Sequence, residues 1–224
     1  GSTPTEQKPR AQAAAPGVPA PSKPALPPSA QALLVTTSRT PPTPAESPAA
    51  PASGITRNVP GSSAAASAPT GEAEHFQLAL YYQRTGDFEQ ALIHYRAVLE
   101  ANALNAEARN NLGLLYQDKG LYDEAIREFK RATAIDARYD KAHNNLGVAL
   151  LRSGNAEAAV SEFRWIVAQD GRNVESLTNL ALALRASGRL TEARDHLQRA
   201  LQINNRYATA HYNLALVLEE SAEI

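Results

Sequence analysis

From residue 72 onward, apolar positions recur with two superposed periods. The short one is helical: Leu112, Leu115 and Tyr116 share one face at i, i+3 and i+4, and Ala125, Ile126, Phe129, Ala132 and Thr133 form a second inward stripe. The long one is 34 residues, without insertion or deletion, and is marked by Leu78, Leu112, Leu146, Leu180 and Leu214. After each of these repeat leucines comes a small residue: Ala79, Gly113, Gly147, Ala181 or Ala215. Four further on from each leucine stand Tyr82, Tyr116, Leu150, Leu184 and Leu218; then come Gly86, Gly120, Gly154 and Gly188, then Ala91, Ala125, Ala159 and Ala193, then Tyr95, Phe129, Phe163 and Leu197. A fixed period of this length predicts paired helices stacked into an all-α solenoid.

Each feature of the period has a physical reading. Gly120 suits the left-handed residue that ends a first helix. Asp123 and Glu124 sit where the macrodipole of a second helix favours acidic groups. Gly113 and Ala125 let the two helices approach, Tyr116 and Phe129 fill the space beside them, and a bulkier residue at either small position is expected to overpack the pair. Four full units follow, 72–105, 106–139, 140–173 and 174–207, with a capping helix at about 208–220. Tyr212, Leu216 and Val217 on that last helix are expected to be exposed unless the array pairs with itself.

Composition divides the chain near residue 70 into a segment 1–70 and an array 71–224. All 15 prolines lie at or before Pro69, and every aromatic residue lies at or after Phe76. The Pro/Ala/Ser-rich segment is expected to be a disordered tether, because it has too little apolar surface to offset chain entropy. Gly1-Ser2 reads as an expression scar, so an earlier anchor or leader would not be visible. Five basic residues face two acidic ones in the tether, and 17 face 21 in the array. Neither part has the basic excess that nucleic-acid binding calls for. The chain has no cysteine, hence no disulfide, thiolate metal site or cysteine nucleophile. No apolar run is long enough to span a bilayer.

The combination Leu112-Gly113, Tyr116, Ala125, Phe129 and Ala132, repeated in phase over about two-thirds of the chain, resembles the tetratricopeptide repeat family. The resemblance implies a right-handed superhelix with the first helices lining its concave side, and a role in holding protein segments. Two departures stand out. The family's tryptophan-type position holds His75, Arg109, His143, Leu177 and His211, and its inter-unit proline is replaced by Ala103, Ala137, Gly171 and Asn205. Without the prolines, the second helices are expected to run on slightly.

One residue before each repeat leucine stands Gln77, Asn111, Asn145, Asn179 or Asn213, a row of carboxamides spaced one per unit. Each offers an acceptor and two donors, which suits an extended peptide backbone of any sequence. Asn110 and Asn144 extend the polar face, and Thr178 and Tyr212 continue it. The row resembles the asparagine ladder in the tetratricopeptide superhelix of protein O-linked N-acetylglucosamine transferases, which implies backbone-directed peptide binding and no glycosyl transfer. The competing reading is that these amides serve helix packing. Arg84, Arg152 and Arg185 are added to the candidate groove, although with Lys141 they do not compose the basic pairs of a carboxylate clamp. Trp165, whose equivalents are Ala97, Arg131 and Arg199, is a candidate interface anchor; the alternative lays it over aliphatic stems such as those of Arg164 or Arg199.

Catalytic motifs are missing: there is no HExxH, phosphate-binding glycine loop or Gly-x-Ser-x-Gly, and three of the five histidines share one repeat position that stacking keeps apart. No cofactor or metal is expected. The sequence therefore reads as a non-enzymatic scaffold that binds an extended or helical segment of a protein partner, with an accessory role in bacterial pilus, secretion or envelope assembly and a periplasmic or envelope-associated place favoured over the cytoplasm. The rivals are a self-assembling structural array, joined through the C-terminal helix, and the substrate-recruiting part of a larger enzyme. In the tether, the apolar run Ala32-Leu33-Leu34-Val35 is a candidate docking motif.

Overall fold

A computed structural model describes residues 71–222. The expected disorder of the tether and its Ala32–Val35 motif lie outside the described residues. Among the described residues nine helices run in order: α1 (Glu72–Thr85), α2 (Phe88–Ala101), α3 (Ala106–Asp118), α4 (Tyr122–Ile135), α5 (Asp140–Arg152), α6 (Ala156–Gln169), α7 (Val174–Ala186), α8 (Leu190–Ile203) and α9 (Ala208–Ala222). Each odd-numbered helix pairs with the even-numbered one that follows, and each even-numbered helix also packs on the next odd one. Odd helices touch one another in succession, α3 with α5, α5 with α7 and α7 with α9. The array is therefore tightest along its odd helices, which places them on the inner side of the curve.

The hairpin turns obey local backbone chemistry. Gly86, Gly120, Gly154 and Gly188 adopt φ of 83°, 74°, 84° and 79°. The residue after each donates its N–H back to a carbonyl in the last turn, Asp87 to Tyr82, Leu121 to Tyr116, Asn155 to Leu150 and Arg189 to Leu184. This is the left-handed termination that favours glycine.

The second helices do not run on, contrary to expectation. They stop at Ala101, Ile135, Gln169 and Ile203, each before the position where the family carries proline. An Asn or Asp follows every time, and its side chain accepts a backbone N–H two residues ahead: Asn102 from Leu104, Asp136 from Arg138, Asp170 from Arg172 and Asn204 from Arg206, at 2.9–3.2 Å. Such turns compete with helical hydrogen bonding and end the helix without a proline. The free carbonyl in the connection is then met by a side chain. Arg109 donates to Ala103 O, and His143 and His211 bond Ala137 O and Asn205 O. Leu177 has no polar atom to offer, and Arg199 reaches Gly171 O instead, at 2.6 Å.

The tryptophan-type position thus carries polar work in this chain. Besides holding the connection, it ties its helix to the second helix of the same hairpin. Arg109 pairs with Glu128 at 2.9 Å, His143 with Glu162 at 2.8 Å, and His75 Nδ1 with His94 Nδ1 at 2.9 Å.

Tyr95, Phe129, Phe163 and Leu197 are fully buried between the helices of their hairpins. A Cβ added at Gly113 would lie 2.6 Å from the Phe129 ring, and one at Gly147 would lie 2.8 Å from the Phe163 ring. Glycine stands where the facing side chain is phenylalanine, and alanine where it is Tyr95 or Leu197. We expect G113A and G147A each to lower the unfolding free energy by about 1–3 kcal/mol through overpacking. Urea denaturation followed by circular dichroism checks this, and unchanged midpoints would contradict the packing account.

A candidate protein-binding groove

Each odd helix also turns a face toward the hollow of the array, and in α1 that face still touches the second helix, with Phe76 edge-on to Tyr95 and Gln83 Oε1 accepting from Tyr95 Oη at 2.6 Å. The residues two before, two after and five after the repeat leucine lie on it at i, i+4 and i+7. The central member is aliphatic in every unit: Leu80, Leu114, Val148, Leu182 and Leu216. The preceding members are Phe76, Asn110, Asn144, Thr178 and Tyr212, and the following ones are Gln83, Gln117, Leu151, Arg185 and Glu219. The inner surface is thus an aliphatic rail with hydrogen-bonding groups along its sides. Inspection of the carboxamides alone missed this rail, although the same 34-residue step marks it.

Exposure varies along the rail. Leu80 is 37% exposed, Leu114 is half-buried, Val148 is at 0% and Leu182 at 4%, and Leu216 is half-buried again. The rail is withdrawn from solvent at α5 and α7 and reaches it at α1, α3 and α9. Two side-chain atoms on its flank are withdrawn from solvent without a hydrogen-bond partner, Gln117 Oε1 and Arg185 Nη1. Arg185 holds Glu220 through Nε at 3.2 Å, which leaves the other nitrogen aimed elsewhere.

The carboxamide row is not the open track expected. Asn110, Asn144, Asn145, Asn179 and Asn213 are all buried, Asn179 completely. Asn145 Nδ2 donates to Asn110 Oδ1 at 2.9 Å, and Asn179 Nδ2 donates to Asn144 Oδ1 at 3.1 Å. Asn145 and Asn179, each just before a repeat leucine, thus meet an amide of the preceding unit. Close contact between successive odd helices excludes water, and the amides must satisfy one another. Asn213 has lost that partner type, because Thr178 stands where the previous units carry Asn; it donates to Thr209 O, leaving its own Oδ1 unpaired. Gln77 is exposed and Asn111 half-buried, so only these two of the row face outward. Of the arginines, Arg84 is exposed beside Tyr81, with its guanidinium 5.9 Å from the ring centre, and Arg152 and Arg185 are half-buried.

Trp165 packs on an imidazole rather than standing free. It is half-buried against the core and stacks on His143, ring centres 3.9 Å apart and planes 20° from parallel. The imidazole at the tryptophan-type position supplies that platform. Tyr212 is exposed at 49%, as expected, but Val217 is fully buried because it turns toward the core that α7 and α8 build. Leu218 and Ala215, rather than Val217, are left open on α9.

Among the described residues, no three acidic or histidine side chains gather to hold a metal ion, and no helix is long and apolar enough to cross a membrane.

Two outcomes follow. Replacing Asn145 or Asn179 by alanine strands a buried carbonyl and is expected to cost about 1–3 kcal/mol. N111A removes the half-buried Oδ1 that accepts from Asn110 Nδ2 at 3.3 Å and is expected to cost less, about 0.5–1 kcal/mol. Chemical denaturation of the three variants checks the contrast. Burial lowers the pKa of His94, helped by the charge of His75. Burial also lowers that of His196, helped by Arg199 and Arg164 against the opposite pull of Glu192 and Asp195. The unfolded chain then binds more protons, so stability is full above the ordinary value of 6.5 and falls as pH drops below it. The midpoint temperature is expected to fall between about pH 7 and about pH 5, and less steeply in H94Q/H196Q.

Family comparisons agree with this geometry. The tetratricopeptide repeat family matches residues 76–140 and, as a second variant, 141–165, and the TPR repeat matches 181–221. Curated proteins give no match. A solved structure titled "Crystal structure of MamA protein" is 23% identical, covering 67% of this chain and 82% of its own, with a TM-score of 0.63. MamA 41-end from Desulfovibrio magneticus RS-1 is 17% identical, covering 67% and 85%, with a TM-score of 0.64. YrrB, titled a TPR protein with an unusual peptide-binding site, is 21% identical over 68% and 78%, with a TM-score of 0.61. At these identities the likeness concerns the fold. Together with the phased sequence pattern and the stacked hairpins, the matches show that the chain belongs to the tetratricopeptide repeat family.

Proposed function

We propose that this chain is a non-catalytic scaffold that holds an apolar-faced segment of a protein partner along the inner surface of its odd helices. The observation that carries this reading is the aliphatic rail Leu80, Leu114, Val148, Leu182 and Leu216, flanked by Gln117 Oε1 and Arg185 Nη1, which have no hydrogen-bond partner among the described residues. An extended or helical segment offers apolar side chains for such a rail and backbone groups for its flanks. The buried asparagines contribute by fixing the spacing of the rail. Gln77, Asn111, Arg84 and Tyr212 remain candidates for direct contact. That YrrB is described as peptide-binding is in keeping with the reading.

The finer reading, an accessory role in bacterial pilus, secretion or envelope assembly, rests on the Pro/Ala-rich composition of 1–70. A second reading, end-to-end self-assembly, is favoured by the exposure of Leu218 and Tyr212 on α9. Light scattering over a concentration series tests it, and a constant monomer mass would end it.

The groove is tested with partners isolated on the full chain and then titrated individually. L114E and L216E alter half-buried rail positions, and I93E alters an exposed site on α2 as a control. We expect the rail variants to weaken binding at least about tenfold, as loss of an interface anchor does, with the control unchanged. Binding lost in I93E and retained in both rail variants would place the interface elsewhere.

A further inference from the structure

One side of α9 is open where the other odd helices are covered. In the four complete hairpins, the residue after the repeat leucine and the one three beyond it lie against the second helix; Ala79, Ala181 and Leu184 are fully buried, and Gly113 and Gly147 touch the rings of Phe129 and Phe163. In α9 the same two positions are Ala215 and Leu218, and both are exposed, Leu218 by 49%. The opposite side holds Ala210, Asn213 and Val217, all buried, and packs on α7 and α8.

The open face has the same layout read from either end. Tyr212 stands three residues before Ala215 and Leu218 three after it, His211 and Glu219 stand four to either side, and Ala208 and Ala222 seven to either side; all are exposed. Steps of three, four and seven keep these residues on one helical face. An antiparallel copy of α9 crossing at Ala215 would set Tyr212 against Leu218 and His211 against Glu219, each pair twice over. A two-fold interface demands this property, that residue i meets j and j meets i.

The charges fix the direction. Each of the other eight helices among the described residues carries an acidic residue in its first turn, as the positive end of a helix favours. α9 has none there, and its acids, Glu219 and Glu220, lie in the last turn, at the negative end. Glu220 is held by Arg185 at 3.2 Å, and Glu219 is exposed. Antiparallel pairing places each Glu219 beside the start of the other α9 and supplies the missing charge. Parallel pairing would set Glu219 against Glu219.

We propose that α9 is a dimerisation helix, through which two copies of this chain join antiparallel about a two-fold axis at Ala215. This rests on the self-association reading above and replaces its open chain with a closed pair, because a two-fold contact uses the face up and leaves none for a third copy. The face is one helix about 22 Å long. It is smaller than a standard interface of about 1,200–2,000 Å², so the pair exchanges with the monomer.

The chain has no cysteine, so a single introduced one reports its own contacts. Sedimentation of the full chain between about 1 μM and about 1 mM is expected to pass from monomer to dimer and to stop there. A215C is expected to form a disulfide dimer at least about tenfold faster than I93C, an exposed site on α2, because facing residues of closely paired helices come within bridging reach. H211E brings like charges together on both sides of the axis and is expected to weaken the dimer at least about tenfold; H211E/E219K, with one sign reversed, is expected to restore it. Circular dichroism verifies that each variant folds. Growth in mass beyond the dimer would overturn the two-fold contact while keeping self-association. A dimer in which A215C bridges no faster than I93C, or which H211E leaves unchanged, would overturn the pairing about Ala215. Constant monomer mass would overturn both this proposal and the self-association reading, leaving the face to another helix. The groove, tested by L114E and L216E, is decided separately.

Discussion

The structure depends on how closely two helices can lie within each hairpin. Gly113 and Gly147 leave room for the rings of Phe129 and Phe163 to lie almost against a backbone, closer than any Cβ would permit. Where the ring gives way to Leu197, alanine returns at Ala181. This matching of small against large sets the angle of every hairpin. Repetition at a constant step then turns a local fit into a curved array, because each hairpin passes the same rotation to the next. The core is correspondingly continuous, running from α4 to α9 through Phe129, Phe163, Leu180 and Leu197.

The same closeness accounts for the interior polar groups. Successive odd helices approach far enough to exclude water from the amides beside the repeat leucines. Asn110 with Asn145, and Asn144 with Asn179, then form a zipper of hydrogen bonds from unit to unit. A buried amide network of this kind fixes register, since an offset would leave each amide unpaired. It acts below the groove surface, to which Leu80, Leu114 and Leu216 of the rail contribute while Val148 and Leu182 are buried.

The family's missing tryptophan and proline are compensated by one arrangement. An Asx turn ends the second helix, and a cationic or imidazole side chain from the following hairpin holds the open carbonyl. Where Leu177 cannot do so, Arg199 does. His143 further serves as the platform for Trp165. These substitutions are coupled, which is why reading each position separately gave an expectation of a longer helix.

The sequence by itself determined the helical class, the hairpin step and the glycine terminations. Each of these follows from contacts within 34 residues, which a repeating pattern displays directly. Only the tertiary structure decided which polar residues face the hollow. Asn111 and Asn145 occupy the same place in the period, yet one is half-buried and the other closed. The difference goes with the preceding unit: Asn145 donates to Asn110, whereas the residue in Asn110's place one unit earlier is Phe76, which offers no amide, and Asn111 accepts from Asn110 on its own helix. Burial of a side chain between units depends on both neighbours and on their separation, and a single position in a repeat does not carry that information.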